Sequence, residues 1–223
     1  MFLAHSGPSD DGRDGQPLLD HLAGVARRAQ ALGAPLKIGR AAALLGLGHD
    51  LGKYDPAFQA YLRKNGPSVD HSTAGARVLL DLAPAAPNPD RIMAEVLAYC
   101  ILGHHAGLPD RSNPTAACLN TRIEGFKVGR LDAVWRRELT LDLGGIGAEL
   151  QAHVAPPTWE FDLSVAVRMI FSCLVEADYL DTEAFYAGLE RRAPERDWPA
   201  LRDRLPDLRA RFDAHMAGLG GKG

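Results

Sequence analysis

The chain has 223 residues, 46% of them hydrophobic, enough for one ordinary core, so a single domain is the default expectation. Its 25 Lys and Arg against 28 Asp and Glu leave a formal charge of -3 at pH 7, so composition does not mark it as a polyanion binder, although bound cations would reverse that locally. Three widely spaced cysteines, Cys100, Cys118 and Cys173, argue against a disulfide scaffold or thiolate zinc knot, and no apolar run reaches the ~18 residues of a membrane span, so a soluble cytoplasmic protein is expected.

Residues 5–17, HSGPSDDGRDGQP, are dense in turn formers and read as a loop delivering the chain to a first helix. After Pro17, the segment LLDHLAGVARRAQALG repeats Leu18, Leu22, Val25, Ala29 and Leu32 at spacings of three and four, with His21 beside that stripe. A second helix runs through IGRAAALLGLGHD, ending in His49 and Asp50, with Gly52 breaking the pattern. A short helix is predicted from Pro56 to Leu62. His71 stands at the start of another, continued by Ala74, Val78 and Leu82, with Ser72 and Thr73 suited to capping. Asn88 then caps a helix with Ile92, Val96, Tyr99 and Cys100 on one face and His104 and His105 at its end.

Residues 106–160 are less regular. Within them, 111–137 hold six basic and two acidic residues, a local net of +4 that suits either a nucleic-acid backbone or a solvated loop face. From near Asp162 runs the most apolar helix, interrupted on one side by Glu176 and Asp178, with Asp181 and Thr182 read as a turn and a cap after it. A last helix, about Pro199 to Met216, carries Leu201, Leu205, Leu208, Phe212 and Met216 on one stripe, and 218–223 read as a flexible tail or linker. Neighbouring leucines favour burial of Trp135, Trp159 and Trp198, while His153 and His215 read as surface residues. No strand pattern of any length is present, so the predicted fold class is all-α.

Five of the eight histidines, His21, His49, His71, His104 and His105, fall beside apolar stripes or at helix ends. Each alone would be an ordinary surface or satisfied core histidine; together they ask for one explanation. Imidazole plus carboxylate is the donor set of borderline divalent metals such as Mn, Fe, Co, Ni and Zn, whereas a pure Mg or Ca site would show mostly oxygen. His49 and Asp50, adjacent at a helix end, offer both donor types to one centre, and an Asp with two oxygens can bridge ions ~3.5–4 Å apart. Asp178 adds a carboxylate from an apolar helix, where it is costly unless paired, coordinated or exposed.

HDLGK at 49–53, with His21 before it and Asp178 far after it, resembles the H…HD…D pattern of the HD superfamily of metal-dependent phosphohydrolases. The stretches FLAHS, LLDHL, GHDLGKYDPAFQAYL, DHSTAGA, ILGHHAGLPD and CLVEADYLDTE, in that order, narrow the likeness. Over residues 2–185 the chain resembles the HD nuclease domain of the type I CRISPR-associated nuclease-helicase, whereas HDLGK alone is shared with nucleotide phosphohydrolases and signalling phosphodiesterases. The resemblance implies an HD-domain helical bundle over 1–217 with the active site at the centre of the helices. It implies two divalent cations, Mn, Co, Ni or Fe, with Mg as a further option. His21, His49, Asp50 and Asp178 are the implied ligands of one, with Asp50 bridging to a second held by His71, His104 and His105.

By the same resemblance Asp50 and Lys53 are the catalytic residues, Lys53 as a cation near the scissile phosphate. The implied substrate is single-stranded DNA in type I CRISPR interference, and the implied partners are a CRISPR helicase domain or subunit and an RNA-guided surveillance complex, with no membrane involved. Arg111, Arg122, Lys127 and Arg130 are expected DNA contacts. His5 and Ser6 are an accessory pair that approaches the site or holds the N-terminal loop. The alternatives are an HD-type nucleotide or cyclic-nucleotide phosphohydrolase and a non-enzymatic recruitment module; intact motif positions favour the nuclease.

Overall fold

A computed structural model of the chain describes residues 1–9, 12–193, 196 and 198–220. Two short strands, β1 (Leu3–His5) and β2 (Gln16–Pro17), pair antiparallel at the N-terminus. They correct the all-loop reading of residues 5–17. Strands this short carry no legible alternation, and tertiary bonds hold them: Gln59 accepts from the Leu3 N–H at 3.0 Å and donates to the Leu3 carbonyl at 2.9 Å.

Ten helices follow among the described residues. The first five are α1 (Leu18–Gly33), α2 (Gly39–Gly48), α3 (Pro56–Leu62), α4 (Ser72–Leu82) and α5 (Pro89–Gly103). The irregular stretch holds α6 (Leu119–Gly125), α7 (Trp135–Glu138) and α8 (Gly147–Gln151), and the chain continues into the long α9 (Trp159–Leu189) and α10 (Leu201–Gly220). The all-α reading therefore holds, with the hairpin as a small addition.

The expected periodicity places the core. Val25 and Ala29 of α1 join Leu45, Leu97, Ile101, Ile170 and Leu174 in one buried cluster shared by α1, α2, α5 and α9. Leu18 and Leu22, a turn or two earlier, join Leu51, Tyr54, Val78, Phe126 and Trp135 in a second. Burial of each such leucine or isoleucine contributes about 1.5–3 kcal/mol before entropy is charged against it. Because α1 serves both clusters, the His21 on its stripe is carried into the interior at 0% exposure. The three cysteines are free and buried.

Three expectations are corrected. Helix α9 runs unbroken to Leu189, so Asp181 and Thr182 are mid-helix residues rather than a turn and a cap. Trp135 is buried as expected, but Trp159 and Trp198 are 50% and 72% exposed. The stripe of α10 faces outward: Leu201, Leu205, Leu208, Phe212 and Met216 are all exposed, and the helix extends to Gly220, with 221–223 lying outside the described residues. No described helix is long and apolar enough to cross a membrane.

Candidate metal centre

Helix α2 ends at Gly48, with His49 still in helical conformation and Asp50 turning into a tight 3-10 segment, Leu51–Tyr54. Gly52 inside that turn lies against the His71 backbone; a Cβ there would fall 2.1 Å from the His71 carbonyl oxygen. Absence of a side chain at 52 is what lets the segment entering α4 reach Asp50. His21 arrives from α1, His104 and His105 from the end of α5, and Asp178 from α9.

Four imidazoles are oriented by the same device. A carbonyl can only accept, so Nδ1 of His49 donates to the Gly46 carbonyl at 2.8 Å and Nδ1 of His104 to that of Ile101 at 2.6 Å. His71 Nδ1 makes a longer contact, 3.4 Å, to the Val69 carbonyl, and His21 Nδ1 donates to the Asp181 carboxylate at 3.0 Å. Each ring therefore turns Nε2 inward, the arrangement that fixes tautomer and direction for a metal ligand.

Asp50 divides its two oxygens between two sets of nitrogens. Its Oδ2 lies 3.4 Å from both His21 Nε2 and His49 Nε2, while Oδ1 lies 3.5 Å from His71 Nε2 and 3.6 Å from His104 Nε2. Asp178 Oδ1 closes the first set, 3.4 Å from His21 Nε2 and 3.7 Å from His49 Nε2. His105 closes the second, its Nε2 at 2.8 Å from that of His71. The Nε2 atoms of His21, His49 and His104 and the Oδ1 of Asp50 are buried without a hydrogen-bond partner. Buried polar atoms are rarely left so, and a cluster of them aimed at one another is what a bound cation would satisfy.

The electrostatics agree. Burial alone would lower His21, but the carboxylates of Asp178, Asp181 and Asp50 outweigh it and raise its pKa to about 10; His49 is raised against burial to about 9 by Asp50 and Asp178. Burial would favour a protonated Asp50, yet Lys53 and His49 hold it well below the usual carboxylate range, and His21 and His49 do the same for Asp178. The buried Asp50 and the partly buried Asp178 thus draw positive charge to this site, which favours the protonated forms of His21 and His49. Burial pushes His105 down to about 4 and lowers His71, so these rings are neutral and able to ligate near neutral pH. Divalent cations fit the site by replacing those protons. Three groupings, His21–His49–Asp50, His49–His104–Asp178 and Asp50–His71–His104–His105, each bring their donor atoms within 4.8 Å of one another.

The cluster opens onto a cavity of ≈ 290 Å³ lined by His5, Asp50, Lys53, His104, His105, Val175, Asp178, Tyr179 and Thr182. A family model described as Cas3, HD domain matches residues 4–180, well over half the chain. The chain belongs to the Cas3 HD domain family. No curated protein matches it. Membership carries metal-dependent hydrolase chemistry, of the nuclease kind found in CRISPR systems.

In this Cas3 HD domain several side chains differ in setting from their sequence reading. Lys53, read as a cation near the phosphate, is 4% exposed, with Nζ 2.6 Å from Asp50 Oδ2 and donating to the Ala4 carbonyl at 3.0 Å. His5 faces the cavity, its Nε2 3.2 Å from Thr182 Oγ1 and its ring edge-on to His21. Ser6 does not join it; it is exposed and lines a separate cavity with Leu62 and Arg63. Of the four expected DNA contacts, Lys127 is exposed, Arg111 is exposed beside Glu95, and Arg130 pairs with Asp55 at 2.8 Å. Arg122 is a correction: its guanidinium is spent on protein groups, leaving no free fork for DNA.

Asp181 was missed. Its carboxylate accepts a hydrogen bond from His21 Nδ1 and also accepts from Gln16 Nε2 at 2.8 Å and Arg28 Nε at 3.4 Å. The sequence signal was its i, i+3 spacing from Asp178, which puts both carboxylates on one face of a helix. Asp181→Ala should weaken manganese binding at the His21 side by about tenfold or more, the scale for losing a partner that orients a ligand. Calorimetric titration checks this; an unchanged isotherm would show that His21 is held by packing alone.

Proposed function

We propose that this domain hydrolyses phosphodiester bonds of single-stranded DNA using two divalent cations, of which manganese, cobalt, nickel and iron suit the donors best and magnesium is tolerated. The split carboxylate of Asp50 carries the reading: one residue presents separate oxygens to separate imidazole sets, which a single-ion site does not require. His21, His49, Asp178 and Asp50 Oδ2 would hold one cation, and Asp50 Oδ1, His71, His104 and His105 the other. A cation pair supplies an activated water and neutralises charge on the phosphate and the departing oxygen.

The remaining residues have supporting tasks. Lys53 balances Asp50 and keeps its ammonium at the cavity wall, where it adds positive potential beside an incoming phosphate. His5 and Thr182 close the cavity on the β1 side. Tyr179, 65% exposed at the rim, offers a flat face on which an unpaired base can stack, favouring a flexible single strand over a duplex. With a formal charge of -3, the domain has little general attraction for DNA. A CRISPR helicase domain or subunit and an RNA-guided surveillance complex are therefore the proposed suppliers of substrate, in the cytoplasm.

The test is a panel of single-stranded DNA, duplex DNA, RNA, deoxynucleoside triphosphates and cyclic nucleotides, each with Mg, Mn, Co, Ni and Zn. Single-stranded DNA should be cut with Mn, Co or Ni while the mononucleotides stay intact. Preferential turnover of a nucleotide would instead identify a phosphohydrolase, and inertness toward the whole panel would identify a recruitment module.

A further inference from the structure

Arg122 lies on α6, in the irregular stretch, and makes no contact with the cluster's imidazoles among its hydrogen bonds. Its Nε donates to Thr73 Oγ1 at 3.0 Å, its Nη1 to the Leu102 carbonyl at 3.0 Å, and its Nη2 to Ser72 Oγ at 2.6 Å and to Asp70, 3.2 Å from each carboxylate oxygen. Asp70 in turn caps α4, accepting from the Ser72 N–H at 3.0 Å and the Thr73 N–H at 3.3 Å. The burial of a neutral loop contact would not need this: a planar guanidinium with every nitrogen engaged joins two segments at a set distance and angle.

Those two segments carry the second imidazole set. Asp70, Ser72 and Thr73 flank His71, and Leu102 shortly precedes His104 and His105. Of the three rings that reach a backbone carbonyl, His71 makes the longest contact, 3.4 Å at Nδ1 against 2.8 Å at His49 and 2.6 Å at His104. Something outside the local turn has to fix where His71 stands. We propose that Arg122 is a positioning residue that clamps the His71 segment to the end of α5 and thereby sets the affinity of the cation site formed by His71, His104, His105 and Asp50. The inference rests on the two-cation reading above and adds to it a residue that touches neither cation nor substrate.

Manganese titration followed by the electron paramagnetic resonance of the free ion tests it on the whole chain. His71→Ala identifies which of two binding classes belongs to the second set. In Arg122→Met that class should weaken by about tenfold while the other stays within twofold, on the scale known for outer-shell partners. Arg122→Lys, which keeps the charge and loses the fork, should show the same selective loss, as should Asp70→Asn, so that the test survives should Arg122→Met not fold. Millimolar guanidinium ion added to Arg122→Ala should restore the weakened class, which a general packing role would not allow. Unchanged affinities, or equal loss in both classes, would overturn the inference while leaving two-cation binding intact. A wild type that takes up a single ion would overturn the two-cation reading, and the inference with it.

Discussion

Asp50→Ala is expected to lower manganese-dependent cleavage of single-stranded DNA by about a thousandfold or more, some 4 kcal/mol of barrier, while helical content stays nearly unchanged. Asp50 is the described carboxylate whose oxygens face both imidazole sets, so its removal disables both halves together. The side chain is 2% exposed and pairs with Lys53, so the alanine variant also leaves a buried ammonium short of its anion and should melt earlier. Asp50→Asn separates the effects, because it keeps the shape and a polar partner for Lys53 but supplies no charge. Both variants should bind less manganese and lose cleavage on this scale. Cleavage retained by either, measured on metal-reconstituted protein alongside far-ultraviolet circular dichroism, would remove Asp50 from the chemistry.

Gly75→Ala should destabilise the domain by about 3 kcal/mol, the upper end of ordinary overpacking, and lower the melting midpoint by roughly 6–12 °C for a chain of this length. Gly75 is where α4 crosses the end of α2. A Cβ there would sit 1.9 Å from the Gly48 carbonyl oxygen and 3.3 Å from Ile101 Cδ1, and the nearer of these is backbone that cannot swing aside. Relief requires α4 to back away from α2, taking His71 with it and away from Asp50. Metal uptake should therefore fall more at the His71 set than at the His21 set. Gly188→Ala is the matched control, since a Cβ at that helical position meets nothing within 4 Å and alanine favours the helix. A thermal melt of Gly75→Ala that overlays the wild type would show that the two helices have slack at this crossing.

The candidate centre was legible because its chemistry needs particular side chains. Histidines at 21, 49, 71, 104 and 105 with aspartates at 50 and 178 are unusual beside apolar stripes, and the structure brings all seven together. The helices were legible for an equally local reason, since α1, α3, α4 and α5 begin within a residue of the punctuation that Pro17, Pro56, His71 and Asn88 supply. Roles that depend on a distant partner were not. Asp181 is one more acidic residue on a helix until α1 packs against α9 and sets His21 beside it. Arg122 belongs to a basic stretch that composition reads as a nucleic-acid contact, and only the approach of α6 to Asp70 and Leu102 turns it inward. Lys53 reads as a cation near the phosphate, but its bond to the Ala4 carbonyl of the hairpin could not be read from its neighbours in the chain.

By itself, then, the order of residues determined the helical periods, where most of the earlier helices start, and the inventory of donors able to hold a divalent cation, because each of these follows from side-chain type and spacing along a few turns. Only the tertiary structure decided that Asp50 offers one oxygen to His21 and His49 and the other to His71 and His104. The direction of a carboxylate is not encoded next to it. It is set where α1, α4, α5 and α9, far apart in the chain, pack tightly enough around a turn to leave it a single orientation.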